Sequence, residues 1–489
     1  MTAATSPHET AAHERARVRR YVPWLVAVAL FMENLDATIV NTAAPAMAAD
    51  LQVAPLGLKG VLTSYTLALA VFIPISGWMA DRFGTRRVFE LAILLFMAGS
   101  LLCGLAVNVP MLVASRLLQG MGGAMMTPVG RLVLVRTFPR EEMITAMNYV
   151  VIPALIGPLI GPFVGGLIVH WLDWRVIFFI NLPLGALGVW LARRHMPDFR
   201  DEQTPRLDVT GAILFGCGIV LLSYVLEVLG DHSLPTPAVV QLCAAAGILL
   251  GCYGWHATRV AAPVLSLALF RVRTFRISVL GGFVTRLGVG GMPFLLPLLY
   301  QVGLGFPAWQ AGLLMMPQAV GAIGMKLASK PLLARFGHRR VLRTNTVAMG
   351  LLIGTFALVG PATPLWIIVL LSLTQGFVSS IQFTSMNSLV YADVSDANAS
   401  KASSLASTAQ QLALSFGVAF GTVMAQVFLR HVPQSDTPAF IQALHQAFLV
   451  MGAMTLASSV SFYGLRPTDG ANVSRHRMTT PEQLADKTV

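Results

Sequence analysis

The chain has 489 residues, 55% hydrophobic and only 11% charged, where soluble domains are about 25% charged. Its mean hydropathy is +0.69. That balance excludes a soluble fold, and continuous apolar runs exclude a β-barrel, whose strands alternate over about ten residues; the chain reads as an all-α polytopic membrane protein. A net charge of +12 would indicate a nucleic-acid partner in a soluble protein, but here the positive-inside rule accounts for it and no nucleic acid is implied.

Residues 1–20 are polar and read as a tail, ending in Arg15, Arg17, Arg19 and Arg20. The apolar run that follows, 21–47, is too long and too acidic for a cleaved signal peptide. It can cross a bilayer, which takes about 20 apolar residues. Glu33 and Asp36 lie near its middle, three residues apart, and so are neighbours on one helix face. An ionised acid at that depth costs about 2.5–3.5 kcal/mol and marks a functional site unless neighbouring helices merely satisfy it. Asp36 is the stronger of the two.

Thirteen further spans follow, at 58–80, 88–107, 111–135, 143–169, 174–194, 208–229, 236–257, 277–303, 308–332, 341–360, 365–390, 402–429 and 441–463. With the N-terminus cytoplasmic, 27 of the 34 Lys and Arg fall on the cytoplasmic side. Lys59, Arg175 and Arg430 sit at the outer mouths, and Arg116, Arg131, Arg286 and Lys326 inside spans. This places both termini inside and makes the number of spans even.

Between the second and third spans, Gly77, Asp81, Arg82, Gly84, Arg86 and Arg87 fall in an eleven-residue stretch. Gly77 is expected to allow close helix contact and Gly84 to supply backbone freedom. Asp81 amid three arginines can form a salt-bridge network that differs between two conformations. The fourth span carries Arg116, Gln119 and Gly120. From near the outer mouth, Arg116 either snorkels to the interface or reaches an acid of the first span, the preferred reading. A guanidinium there stabilises the ionised carboxylate and can couple proton release to helix movement. In the fifth span Gly157, Gly161 and Gly165 form a flat stripe for close packing, with Gly166 beside it. Pro158 and Pro162 bend that helix, which suits a moving seam between bundles.

Glu227 is expected near the outer end of the seventh span, solvated at the interface. Arg286 and Lys326 are unexpected inside the second half. They pair with Glu33 or Asp36 across a cavity, or bind an anionic substrate. The second half repeats the first. Residues 81–88 recur at 334–341, an offset of 253, and Gln119-Gly120 recurs as Gln375-Gly376, an offset of 256. Two parallel repeats are a transporter architecture. The offset spans eight helices, not six, so two are inserted. The expected domains are a tail (1–20), a six-helix bundle (21–194), an inserted two-helix segment with its loops (195–276), a second six-helix bundle (277–463) and a tail (464–489).

Cys103, Cys217, Cys243 and Cys252 form no CxxC pair, and no disulfide or metal site is expected. The chain has no Walker A sequence and no enzyme signature. Neither catalysis nor a cofactor is expected.

Leu35 to Pro45 resembles the first-span motif of the fourteen-helix drug:proton antiporters of the major facilitator superfamily, the QacA/EmrB group. Residues 77–87 are similar to its motif A, Arg116 to Gly120 to motif B, Gly157 to Gly166 to the antiporter motif C, and Trp174 to Pro183 to a further stretch of that group. The likeness covers nearly the whole chain and is strongest to the HsrA/MdtD-like bacterial members. It implies the major facilitator fold, alternating access, and export of small amphipathic compounds or drugs across a bacterial inner membrane. The proton gradient would be the energy source. It further implies Asp36 as proton site, Arg116 as its coupling partner and Asp81 as a gate residue, with Asn41 and Gln119 toward the substrate cavity. The partners implied are protons, a small-molecule substrate and the bilayer, with a monomer as the simplest assembly. Departures from the pattern are Ala334 for Asp81, Lys330 for Gly77 and Ser372 for Arg116, so coupling is expected in the first bundle. Arg286 and Lys326 leave open an exporter of organic anions or amino-acid-like metabolites. A non-transporting membrane sensor is a third reading, disfavoured by the short tails.

Overall fold

In lipid each backbone N–H and C=O must be satisfied within its own segment, so long apolar runs become helices. The computed structural model describes residues 7–138, 143–201, 204, 206–231, 234–395, 398–429 and 436–474. Among them every regular element is helical. Arg430 and most of the C-terminal tail lie outside the described residues.

The first helices are α1 (Pro7–Asp50), α2 (Lys59–Phe83), α3 (Thr85–Gly104), α4 (Val109–Thr137) and α5 (Met143–Trp171). The short α6 (Val176–Phe179) and α7 (Asn181–His195) form one span. Next come α8 (Val209–Asp231), α9 (Thr236–Ala257), α10 (Arg273–Val289) and α11 (Met292–Leu298), the last running into a π-turn at Leu299–Gly303. The chain continues through α12 (Ala308–Thr355), α13 (Leu365–Leu389), α14 (Ala399–Phe428), α15 (Thr437–Ser458) and α16 (Ala471–Ser474). Eleven helical stretches among the described residues are long and apolar enough to cross a membrane. One of them contains α12, which breaks at Gly337 (φ 70°, ψ 160°) into two helices. With α4 and α5 added, the helices are consistent with the fourteen expected spans. α4 falls short in apolarity because Arg116 and Arg131 lie within it.

Helix ends follow local chemistry. The Asn108 side chain accepts from the Met111 amide at 2.8 Å and starts α4, and Asp436 caps α15 through the Ala439 amide at 3.2 Å. Gly84 (φ 96°) separates α2 from α3 in a conformation that disfavours any side chain.

The chain divides into two compact units, Met1–Val264 with Pro293–Leu313, and Leu265–Met292 with Leu314–Val489. In the first, α3 and α2 flank α4, and α1 packs on α5 and α7. Its core centres on Tyr65, Phe89, Phe96, Met125 and Met126. Lipid is as apolar as leucine, so these contacts stabilise by close van der Waals fit rather than by removal from water. The pair α8 and α9 pack on each other, and α8 also on α2. Asp208 starts α8, accepting from the Gly211 amide at 2.8 Å, and lies 2.7 Å from His256 Nε2 of α9. Burial pushes the Asp208 carboxyl up, but hydrogen bonds from His256 and the Gly211 amide outweigh it and hold it below its usual value.

Glu227 is half-buried near the C-terminal end of α8. Its backbone oxygen accepts from the buried Lys59 ammonium at 2.7 Å, and its carboxylate lies against Gly60 of α2. The reason is tertiary: α8 docks on α2, and Gly60 leaves room for the side chain. In the second unit α10 is central, packing on α13, α14 and α15. Gly290, which ends α10, meets Gly417 of α14, where an added Cβ would lie 3.0 Å from the opposing Cα.

Candidate functional site

Asp36 of α1 is 0% exposed. Its Oδ2 accepts from Arg116 Nη1 of α4 at 2.5 Å. Its Oδ1 accepts from Gln119 Nε2 at 2.9 Å and from Asn181 Nδ2 of α7 at 2.8 Å. Arg116, 2% exposed, also donates to Gln119 Oε1 at 2.7 Å and to the Val61 carbonyl at 3.4 Å, and its guanidinium lies 4.3 Å from the Tyr65 ring centre. Ser100 of α3 receives Gln119 at 3.0 Å and Asn181 at 2.8 Å, then donates to the Phe178 carbonyl at 3.1 Å. One buried ion pair is thus held by groups from six helices, α6 and α7 being parts of one span. Such a pair is strongly destabilised by removal of either partner alone.

The preferred inward direction of Arg116 is the one observed. Gln119, expected toward a substrate cavity, instead holds the ion pair. Asn181, Ser100 and Tyr65 were not singled out as site residues from the sequence. An asparagine inside an apolar run was the available signal for Asn181. Ser100 and Tyr65 carry no such signal, because both are common in membrane helices. Glu33 sits apart from this cluster, its Oε2 accepting from Thr127 of α4 at 2.5 Å. Asn41 is buried and makes a 3.4 Å bond to the Ala37 carbonyl, within its own helix.

The glycine stripe of α5 presses on the segment of α1 that carries Asp36. An added Cβ at Gly157 would lie 2.9 Å from the Leu35 nitrogen, and one at Gly165 2.6 Å from the Ile39 carbonyl oxygen. Gly161 abuts Thr38. Gly166 and the Pro162 carbonyl meet Ala308 and Gly312 at the start of α12, within the same compact unit. Pro158 and Pro162 remain inside a continuous α5.

At the α2–α3 turn the expected network is corrected. Asp81 pairs with Arg136 at the end of α4, at 2.9 Å, with the two side chains 33% and 31% exposed. No ion pair to Arg82, Arg86 or Arg87 occurs among the described residues. The end of α4 brings Arg136 beside Asp81. The segment after α7 straps this turn: the Phe199 carbonyl accepts from the Thr85 amide at 3.0 Å, and Asp198 from the Arg86 amide at 3.1 Å. Gly77 makes no close helix contact. It faces outward, and an added Cβ would meet nothing within 4 Å.

Arg286 of α10 is 6% exposed and forms no ion pair with an acid of its own unit among the described residues. Lys326 is exposed on α12 and does not line the cavity at Arg286.

A repeated, all-helical membrane bundle with an ion pair sealed in its interior belongs to the class of secondary membrane transporters. The family model described as Major Facilitator Superfamily matches residues 26–418 and 280–485, and the chain belongs to that superfamily. It is 39% identical over 439 residues to a protein named "Putative multidrug resistance protein MdtD" from Serratia proteamaculans, covering 90% of this chain and 92% of the relative. A protein of the same name from Pectobacterium atrosepticum is 41% identical over 432 residues, covering 88% and 91%. Among solved structures, a D-xylose-proton symporter matches with a TM-score of 0.67 at 16% identity, covering 92% of this chain and 98% of that one. That likeness shows the fold. The chain is accordingly a multi-pass transporter of a small-molecule substrate and not an enzyme.

Proposed function

We propose that this chain exports small amphipathic compounds, drugs among them, in exchange for protons across a bacterial inner membrane. The observation that carries the reading is the Asp36–Arg116 pair, the acid fully buried and bound to α4 and α7 at once. With Asp36 ionised, α1, α3, α4 and α7 are held together through it. A proton on Asp36 removes the charge opposite Arg116 and turns an acceptor-only carboxylate into a partial donor. Arg116 then keeps the Gln119 and Val61 oxygens and the Tyr65 and Phe178 faces, and α4 is released from α1.

The same helix ends at Arg136, the partner of Asp81. Arg116 and Arg136 are about 30 Å apart along α4 by helical rise. A shift of α4 would therefore reach the Gly77, Asp81, Arg82, Gly84, Arg86 and Arg87 turn, which acts as the gate. The stripe of Gly157, Gly161, Gly165 and Gly166, with Pro158 and Pro162, guides α5 along α1. Glu33 is a second proton site on the same face, and Asn41 lies toward the substrate path. Each proton entering down 100 mV releases about 2.3 kcal/mol. Both termini are cytoplasmic, the working unit is a monomer, and 21–194 and 277–463 are the moving bundles with 195–276 inserted between them.

The test is proton movement in inside-out vesicles on addition of lipophilic cations, neutral drugs or organic acids. The expected outcome is a substrate-dependent proton signal in the wild type that Asp36→Asn abolishes. Transport that still concentrates substrate after a protonophore collapses the gradient overturns the reading.

A further inference from the structure

The second unit buries a cation that it does not neutralise. Arg286 Nη2 reaches Asn387 Oδ1 at 3.1 Å and Gln410 Oε1 at 3.4 Å, and Nη1 reaches the Met386 sulfur at 3.8 Å. The guanidinium carbon lies 4.8 Å from the Phe383 ring centre. Arginine has five N–H donors, and no further oxygen acceptor among the described residues reaches the rest. The unit's described acids are all engaged elsewhere and lie outside its long helices. Asp393 accepts from Thr274 at 2.9 Å, Asp436 caps α15, and Asp469 is held by Arg273 and the Arg466 amide. A buried charge without an opposite charge is costly, and guanidinium is always protonated in a protein.

Beside Arg286 is a small cavity of about 10 Å³, room for one water-sized group. Its walls include Val279, Phe283, Val390 and Ala406, with Asn387 and Gln410 at the polar end. The geometry points to a subsite for the carboxylate of an amphipathic monoanion. One carboxylate oxygen enters the cavity and takes the guanidinium from Gln410, whose bond is the longer of the two amide contacts. The apolar body lies outside the cavity, against the half-buried Phe283. Arg286 alone forms the subsite; Lys326 has no part in it. The inference rests on the transporter reading above and names the substrate class.

The test is binding to purified protein without any gradient, so that a failure of proton coupling leaves it unaffected. Benzoate, benzamide and benzylammonium share one ring and differ in head-group charge. Benzoate is expected to raise the thermal midpoint of the wild type and to bind by calorimetry, while benzamide and benzylammonium do neither. Arg286→Gln should weaken benzoate at least about tenfold, the effect of losing one charge-assisted hydrogen bond. Arg286→Lys should retain part of the binding. Ligand-free Arg286→Gln should unfold no earlier than the wild type, because it removes an uncompensated charge. Absence of benzoate binding at millimolar concentration, equal binding of benzamide, or unchanged binding in a folded Arg286→Gln overturns the inference. Equal protection by chloride alone also overturns it, making the pocket a halide site.

Discussion

In the first unit α4 presents Arg116 and Gln119 to a buried aspartate. At the matching positions of α13, 256 residues later, stand Ser372 and Gln375. Gln375 is buried, its amide nitrogen 3.4 Å from Ser379, and its oxygen has no partner among the described residues. Nearby interior bonds are neutral, such as Asn345 to Gln382 at 2.9 Å and Gln382 to Thr346 at 2.6 Å. Yet the packing is repeated. Gly120 lets α4 approach the Tyr65 carbonyl of α2, and Gly376 lets α13 approach the Gln318 carbonyl of α12. Gly84 and Gly337 both take positive φ, at 96° and 70°. The two halves share close-approach points and differ in buried charge. A backbone contact has no substitute for glycine, whereas a buried charge needs every partner present at once and is lost as a set.

The largest effect should come from the charge. Arg116→Leu leaves Asp36 buried with amide donors only, and should destabilise the purified protein by about 3–5 kcal/mol. Adding Asp36→Leu should restore most of that, as read by a double-mutant cycle of thermal unfolding. If the double variant is no better than the single, the pair is not the unit that holds α1 to α4. The packing half of the comparison predicts a smaller pair of effects of the same sign, larger at Gly376, where the opposing backbone is closer. Gly120→Ala and Gly376→Ala should each cost about 1–3 kcal/mol by overpacking, because an added Cβ would press on backbone in both. No loss of stability at either position breaks the claim that the two halves share a close-approach point. The smallest effect should be Asp81→Asn. Its pair with Arg136 is about one-third exposed, so stability should fall by less than about 1 kcal/mol. A larger loss would mean that the turn supports the fold rather than gating it.

Helix positions, the internal repeat and an acid placed inside a membrane span at Asp36 were legible in the sequence. An apolar run of bilayer length has one available fold, and an acid within it cannot be solvated by lipid. That α5 would pack closely on a neighbour was also legible, because glycines spaced by four leave a flat face whatever lies opposite. The glycine of the α2–α3 turn was half legible. Gly84 behaves as its position in a tight turn requires, while Gly77 touches nothing, since the sequence does not show which way that face of α2 points.

The structure alone decided the partners. That Asp36 bonds Asn181 and Gln119 together, that Asp81 takes Arg136 rather than the arginines beside it, and that Glu227 lies on Gly60 all depend on helices far apart in the chain. Hydropathy and periodicity specify each helix along its own axis. Rotation about that axis, and the neighbour it meets, are set by packing of the whole bundle. Arg286 marks the same boundary. Its sequence position announced a cation without an obvious acid in its own half, and only the tertiary structure showed that Asn387 and Gln410 are what meet it among the described residues.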